Sequence, residues 1–269
     1  MATDEISFSI EKKALVYVTY NSAKAIRENL PNLLRFGGET FAIYAVDNGS
    51  YDSSVIQLWS MGICPIINEE FKGYTTAANQ GIKWALEGEP DWILLVDPEA
   101  RPLQKNWARR LTDVPLDCGI VGARLVSDTA VLHAGGEITP GLHPFLASHG
   151  YQFGEKILWC NENVGLTRLR YRTGPLSSFQ QLEVVPFVSF AVAAIRRQVF
   201  ETIGYLNEEY WHYCSNFDFC LRALTFGWKV CYNPVEFDQG NSGLLNTGSL
   251  AMHNRGQMDV KKWTANELE

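Results

Sequence analysis

Within its first hundred residues the chain alternates four short apolar runs with three helical stretches, and no other feature restricts its fold as much. Ala14-Leu-Val-Tyr-Val-Thr19 reads as a strand, and Tyr20-Asn21-Ser22 as a turn offering an N-cap. From Ala23 to about Arg35 the spacing of Ile26, Leu30, Leu33 and Leu34 predicts a one-faced helix, which Gly37-Gly38 ends. Phe41–Val46 is a second strand, and Asp47-Asn-Gly-Ser50 and Asp52 lead into a helix to about Ser60. Ile63–Ile67 is a third strand, Gly73–Leu86 is helical, and Trp92–Val96 is a fourth strand. This alternation with short connections is the pattern of a parallel sheet covered on both faces. Ligands of such sheets collect outside the carboxyl ends of strands. Tyr20-Asn21, Asp47–Ser50 and Asp97–Glu99 are therefore expected to line one rim.

The fourth run organises the rest. Trp92–Val96 is unbroken and of the length that suits a strand buried on both faces, and Pro98 and Pro102 forbid its continuation. It ends by delivering Asp97 and Glu99 to the sheet edge. Two carboxylates at i and i+2 can converge on one hard cation and the diphosphate it carries, or they form a polar turn after a core strand. The triplet by itself leaves both readings open.

Composition narrows the classes. A chain of 269 residues, 46% apolar, can bury a substantial core. A net charge of −7 with dispersed Lys and Arg gives no stripe for nucleic-acid phosphates, so no nucleic-acid partner is expected. Met1–Lys13 lacks the order of a signal peptide, and the longest apolar run, Val184–Ile195, contains Pro186 and Ser189. A soluble, cytoplasmic protein without a transmembrane segment is expected. Six scattered cysteines with no C-x-x-C pair and five histidines without ligand spacing disfavour zinc, and free buried thiols are expected.

The series V-x-V-T-Y-N, V-D-N-G-S-x-D, the segment Asn68–Gly81 and L-L-V-D-P-E-x-R-P resembles the family 2 glycosyltransferases of the GT-A fold, closest to their rhamnosyltransferase-like branch. The likeness resumes over Val188–Pro234 and has a gap around Leu142–Gln180. It implies one α/β domain with a mostly parallel sheet, helices on both faces and a loop-rich acceptor-side insert. Residues 1–101 would form the nucleotide-binding half, 102–248 the acceptor-side half and 249–269 a tail. It further implies transfer of a hexose or deoxyhexose, rhamnose-like, from a UDP-, GDP- or dTDP-linked donor to a hydroxyl of a glycan or other acceptor, as in polysaccharide biosynthesis. Mn²⁺ or Mg²⁺ would assist, inversion is the expected outcome, and a homo-oligomer is compatible with it.

By the same resemblance Asp97 and Glu99 hold the metal, with Glu99 in place of a usual Asp, and Asp238 is a candidate third ligand. Tyr20, Asp47, Asn48, Asn79 and Asp97 fall on the nucleotide side; for Asp47 the rival is an Asx-turn, and for Asn79 close helix packing. The N-terminus of the Gly73–Leu86 helix would face the donor. Asn216 stands where the family's catalytic base belongs, and an amide takes no proton near neutral pH. Asp218 is a substitute base, or it caps its helix with Ser215 and pairs with Arg222. His212 is a second candidate base, with packing beside Trp211 and Tyr213 as its rival role. Asn216, Asn207 and Glu99 together motivate an alternative function, a degenerate binding or scaffold protein that kept the fold and lost turnover.

Overall fold

The computed structural model describes residues 11–38, 41–138, 169–211 and 214–239. The tail expected over 249–269 and most of the insert lie outside them. The first half runs β1 (Lys13–Thr19), α1 (Ala23–Gly37), β2 (Ala42–Asp47), α2 (Ser54–Ser60), β3 (Ile66–Ile67), α3 (Tyr74–Leu86) and β4 (Trp92–Val96). The expected third strand thus shrinks to two residues, because Ile63 packs into the core beside α2 instead of pairing. After a short β5 (Arg101–Pro102) come α4 (Trp107–Thr112), β6 (Cys118–Val126), β7 (Ala130–His133), β8 (Gly136–Ile138), β9 (Leu169–Tyr171), β10 (Gly174–Pro175) and β11 (Glu183–Val184). The chain then forms β12 (Val192–Arg196), α5 (Arg197–Ile203), α6 (Ser215–Thr225) and β13 (Lys229–Asp238).

Eleven of these strands form one sheet in the order β10-β7-β6-β12-β4-β1-β2-β3, with β13 alongside β6 and carrying β5 and β11, while β8 and β9 pair with each other in a second sheet. From β3 to β4 every pairing is parallel; β12 then enters antiparallel between β4 and β6, so β6 runs in the direction of β4. Helices cover both faces, as the alternation predicts. Ala14, Val16, Ile93 and Leu95 meet α3, α5 and α6 on one face, while Leu15, Tyr17, Leu94 and Val96 meet α1, α2 and α4 on the other. Odd and even strand positions thus feed two separate cores, and all five β4 residues are buried.

The thiol expectation is corrected. Cys118 and Cys231 are bridged, tying β6 to β13 across 113 residues, and Cys214 is also disulfide-bonded. Both bridged strands bury these side chains at neighbouring positions of one core, a tertiary proximity that scattered sequence spacing does not reveal. Cys64 is free and exposed, Cys220 free and buried. Among the described residues no helix is long and apolar enough to cross a membrane.

Candidate active site

The carboxyl ends of β1, β2 and β4 form a continuous rim. Thr19 is level with Asp47, and the β1–β4 register, carried two residues past Val16 and Leu95, puts Val18 level with Asp97. Asp47 and Asp97 therefore flank the end of β1, two strand spacings or about 10 Å apart. Asp238 lies on the same edge, level with Val126 at the end of β6, whose direction matches that of β4.

The two aspartates beside β1 differ in chemistry. Asp47 is buried and already answered: its Oδ1 accepts from the hydroxyls of Thr19 (2.9 Å) and Ser50 (2.7 Å), and its Oδ2 from the Ser50 amide (3.0 Å). These bonds hold the Asp47–Ser50 turn together. Among the described residues the Asp97 carboxylate accepts only the Glu99 amide, at 2.8 Å, and no cation pairs with it. Burial raises its pKa, against the opposing hydrogen bond from Glu99. Its turn is held from below, where Asn29 donates to the Pro98 carbonyl at 2.8 Å and the Ala100 amide to the Asp97 carbonyl at 2.9 Å. Glu99 is exposed beside it.

Asp238 does not join them. The β5–β13 pairing places it opposite Arg101, and the two form an ion pair, so its charge is compensated within the protein. Among the described residues no three His, Cys, Asp or Glu side chains group closely enough to hold a metal. Asp97 and Glu99 nevertheless fit a hard cation that takes its other ligands from water and substrate phosphates, as Mg²⁺ sites commonly do. A half-buried carboxylate lacking a cationic partner among the described residues supplies the needed charge, whereas an all-protein cage is excluded among these residues.

The amides expected on the nucleotide side serve the framework. Asn48 donates to the Gly73 carbonyl (3.0 Å) and accepts from Asn68 (3.2 Å) and the Lys72 amide (3.1 Å), pinning the loop between β3 and α3. Asn79 donates to the Leu206 carbonyl and Glu208 carboxylate, both at 2.9 Å, and accepts the Leu206 amide at 3.1 Å. The α3 N-terminus is likewise occupied: the Thr75 amide donates to the Trp211 carbonyl at 3.3 Å. Gly73, at φ 81°, permits this approach, since a Cβ there would sit 2.0 Å from Trp211 Cδ1. Beside this contact the segment presents an aromatic row. Tyr20 packs on Phe71 (4.5 Å between centroids) and edge-on to Tyr51 (6.3 Å), and Phe71 packs on Trp211 (5.3 Å). Only Tyr20 of this row was expected. Phe71 and Trp211 come from different loops, and no local spacing links them.

On the acceptor side, Asn216 donates its amide to the Tyr171 hydroxyl (2.7 Å) and the Val188 carbonyl (2.8 Å). Asp218 is buried and accepts from Arg222 at 2.8 Å, one turn on, as the pairing alternative requires. The expected Ser215 cap does not form, because Cys214 enters the helix at φ 70° with no side-chain cap. Burial raises the Asp218 pKa while Arg222 lowers it. His212 lies outside the described residues. A histidine that spacing did not single out, His133, is buried, its Nδ1 without a hydrogen-bond partner among the described residues and its ring edge-on to Tyr171 at 4.1 Å. Two further phenols, Tyr17 and Tyr74, lie close enough to feel the charge of Asp97. A tyrosine inside a strand buried on both faces was the available signal for Tyr17, since a buried hydroxyl calls for a partner.

Residues 15–113, from β1 through α4, match the family described as Glycosyl transferase family 2. A search of curated proteins found no sequence match. Among solved structures the chain is similar to the mannosyltransferase PcManGT from Pyrobaculum calidifontis in complex with GDP-Man and Mn²⁺, at 15% identity and a TM-score of 0.54 over 86% of this chain and 57% of that one. It is also similar to GalNAc-T7 with UDP, GalNAc and Mn²⁺, at 13% identity and a TM-score of 0.59 over 87% of this chain and 44% of that one. S. aureus TarS 1-349 in complex with UDP gives 15% identity and a TM-score of 0.54, covering 85% and 60%. The chain thus spans about half the length of these proteins, and it shares the fold of GT-A glycosyltransferases.

Proposed function

We propose that the protein is a nucleotide-sugar-dependent glycosyltransferase whose donor diphosphate docks at Asp97 and Glu99. One observation carries this reading: Asp97 ends the central strand half-buried and without a cation among the described residues, on the rim it shares with Asp47. A family 2 match spanning both aspartates supports it, as do folds of the same kind solved with nucleotides and Mn²⁺. A bound Mn²⁺ or Mg²⁺ would stabilise the charge developing on the departing diphosphate. Asp97 and Glu99 would supply its protein oxygens. Tyr20 and Tyr51 offer aromatic faces on which a nucleobase can stack, next to the turn that Asp47 holds. Transfer of a hexose or deoxyhexose, rhamnose-like, to a glycan hydroxyl with inversion is the finer form of the proposal.

The scaffold alternative rests on a specific observation of its own. Asn216 and Asp218 are both engaged in hydrogen bonds within the protein, so neither offers a ready proton acceptor. Binding without turnover in a donor-hydrolysis assay would favour it. Cytoplasmic placement belongs to the proposal, and the Cys118–Cys231 bridge opposes it, since such bonds persist mainly in oxidising compartments. The donor site itself is tested by calorimetry with UDP, GDP and dTDP in the presence of Mn²⁺. Asp97→Ala is expected to abolish metal-dependent nucleotide binding; unchanged affinity overturns the assignment.

A further inference from the structure

Tyr51, Tyr20, Phe71 and Trp211 touch one after another, and none of the four belongs to either hydrophobic core. Tyr51 is 85% exposed, and the other three are half-buried. Contiguous rings left at a surface mark a binding face. The Trp211 end of this strip is held firmly. Thr75 donates its amide to the Trp211 carbonyl and its hydroxyl to the Tyr210 carbonyl, while Asn79 donates to the Leu206 carbonyl. Thr76 and Asn79 both donate to Glu208. Gly73 lies against the indole, with no room for a Cβ between them. A half-buried tryptophan seated this way is preorganised and loses little freedom when a ligand covers it.

Its place on the rim narrows the ligand. Asn48 ties Gly73 to the end of β1, since its amide donates to the Thr19 carbonyl at 2.8 Å and its side chain to the Gly73 carbonyl at 3.0 Å. The other end of the strip, Tyr20 and Tyr51, adjoins the Asp47 turn. Trp211 sits on the loop leading into α6. A donor whose base stacks at the first end and whose phosphates lie at Asp97 therefore carries its sugar toward the second. One face of a pyranose is a patch of C–H groups that packs on an aromatic ring, and its hydroxyls take polar partners at the ring's edge. The exposed Glu208 offers such a partner. Exposed charges flanking Phe71 and Trp211 are mainly acidic, Glu69, Glu70, Glu208 and Glu209 against Lys72, which favours a neutral sugar over an anionic one.

Accepting the diphosphate site proposed above, we infer that Trp211 is the platform on which the transferred sugar of the donor, a neutral pyranose, stacks, and is thus a specificity-determining residue.

The experiment is calorimetry of the full chain with Mn²⁺, comparing UDP with UDP-glucose and UDP-glucuronate, GDP with GDP-mannose, and dTDP with dTDP-glucose. Wild type, Trp211→Phe and Trp211→Ala are compared, with thermal denaturation of each. In wild type a neutral sugar should tighten the binding of at least one nucleotide by about tenfold, and glucuronate should add nothing. Trp211→Phe keeps a ring and should retain most of the gain. Trp211→Ala should lose it while binding the bare nucleotide as wild type does. If wild type binds a nucleotide but no neutral sugar adds affinity, or if Trp211→Ala keeps the gain, the platform is overturned and the diphosphate site stands. An equal gain from glucuronate overturns the preference for a neutral sugar. A Trp211→Ala that loses bare nucleotide and sugar nucleotide alike, or melts far lower, overturns the inference in favour of a packing role. If wild type binds none of the three nucleotides, the site reading falls together with the inference.

Discussion

Asn216 hydrogen-bonds to Tyr171, its amide nitrogen 2.7 Å from the phenol oxygen across the junction of α6 and β9. The same nitrogen donates to the Val188 carbonyl at 2.8 Å. A carbonyl accepts and never donates, so only a donor side chain serves at this position. The surroundings of residue 216 are therefore built for an amide. Asn216→Asp is expected to lose about 1–3 kcal/mol of stability by setting a carboxylate against that carbonyl, and to gain no transfer activity. Urea denaturation and a transfer assay check this; a large rate increase at unchanged stability would show that the position still accepts a base.

Asp218 and Arg222 lock α6 to the segment after α5, since Arg222 also donates to the carbonyls of Ile203 (2.7 Å) and Tyr205 (2.8 Å). Asp218→Ala leaves a largely buried guanidinium without its counter-charge. The expected loss is about 3–5 kcal/mol, the usual consequence of halving a buried pair. Equilibrium unfolding measures it. Near-wild-type stability combined with a loss of turnover would restore Asp218 as the base.

His133 makes stability depend on pH. Burial lowers its pKa to about 4 from 6.5. The unfolded chain therefore takes up the proton first as pH falls, so the contribution is complete above about pH 6.5 and is lost on the way down to about pH 4. The full effect is about 3 kcal/mol. Unfolding midpoints of wild type and His133→Gln from about pH 7.5 to about pH 3.5, which takes in both the unfolded and the folded pKa, give the test. The variant should show a shallower slope over that window, and parallel slopes would refute the assignment.

The Cys118–Cys231 bridge closes a loop of 113 residues. Chain-entropy reasoning assigns such a crosslink about 4–5 kcal/mol, through its restriction of the unfolded ensemble. The double variant Cys118→Ser, Cys231→Ser should unfold at correspondingly lower denaturant. Thiol titration of the native protein should label Cys64 rapidly and spare Cys220, whose burial pushes its pKa up to about 12. Rapid labelling of Cys118 or Cys231 before unfolding would show the bridge to be absent.

Much of the first half was legible because its information is local. Trp92–Val96 has the expected bounds, α1 buries Ile26, Leu30 and Leu33 as its spacing requires, and the three rim segments follow their strands. Ile63 misled because an apolar run can fill a core without pairing. β13 runs on past Pro234 to Asp238, where a proline reads as a stop; register shifts between Tyr232 and Glu236 accommodate it.

Apolar period and strand-end placement are properties of neighbouring residues, so the sequence by itself determined the two-faced sheet and the delivery of Asp47 and Asp97 to one edge. Which side chains remain available for chemistry is decided by partners far away in the chain. Asn79 meets Leu206, Asp238 meets Arg101, Asn216 meets Tyr171 and Cys118 meets Cys231 only after folding. A polar group's function depends on whether its hydrogen bonds and charge are already answered, and only the tertiary structure answers them.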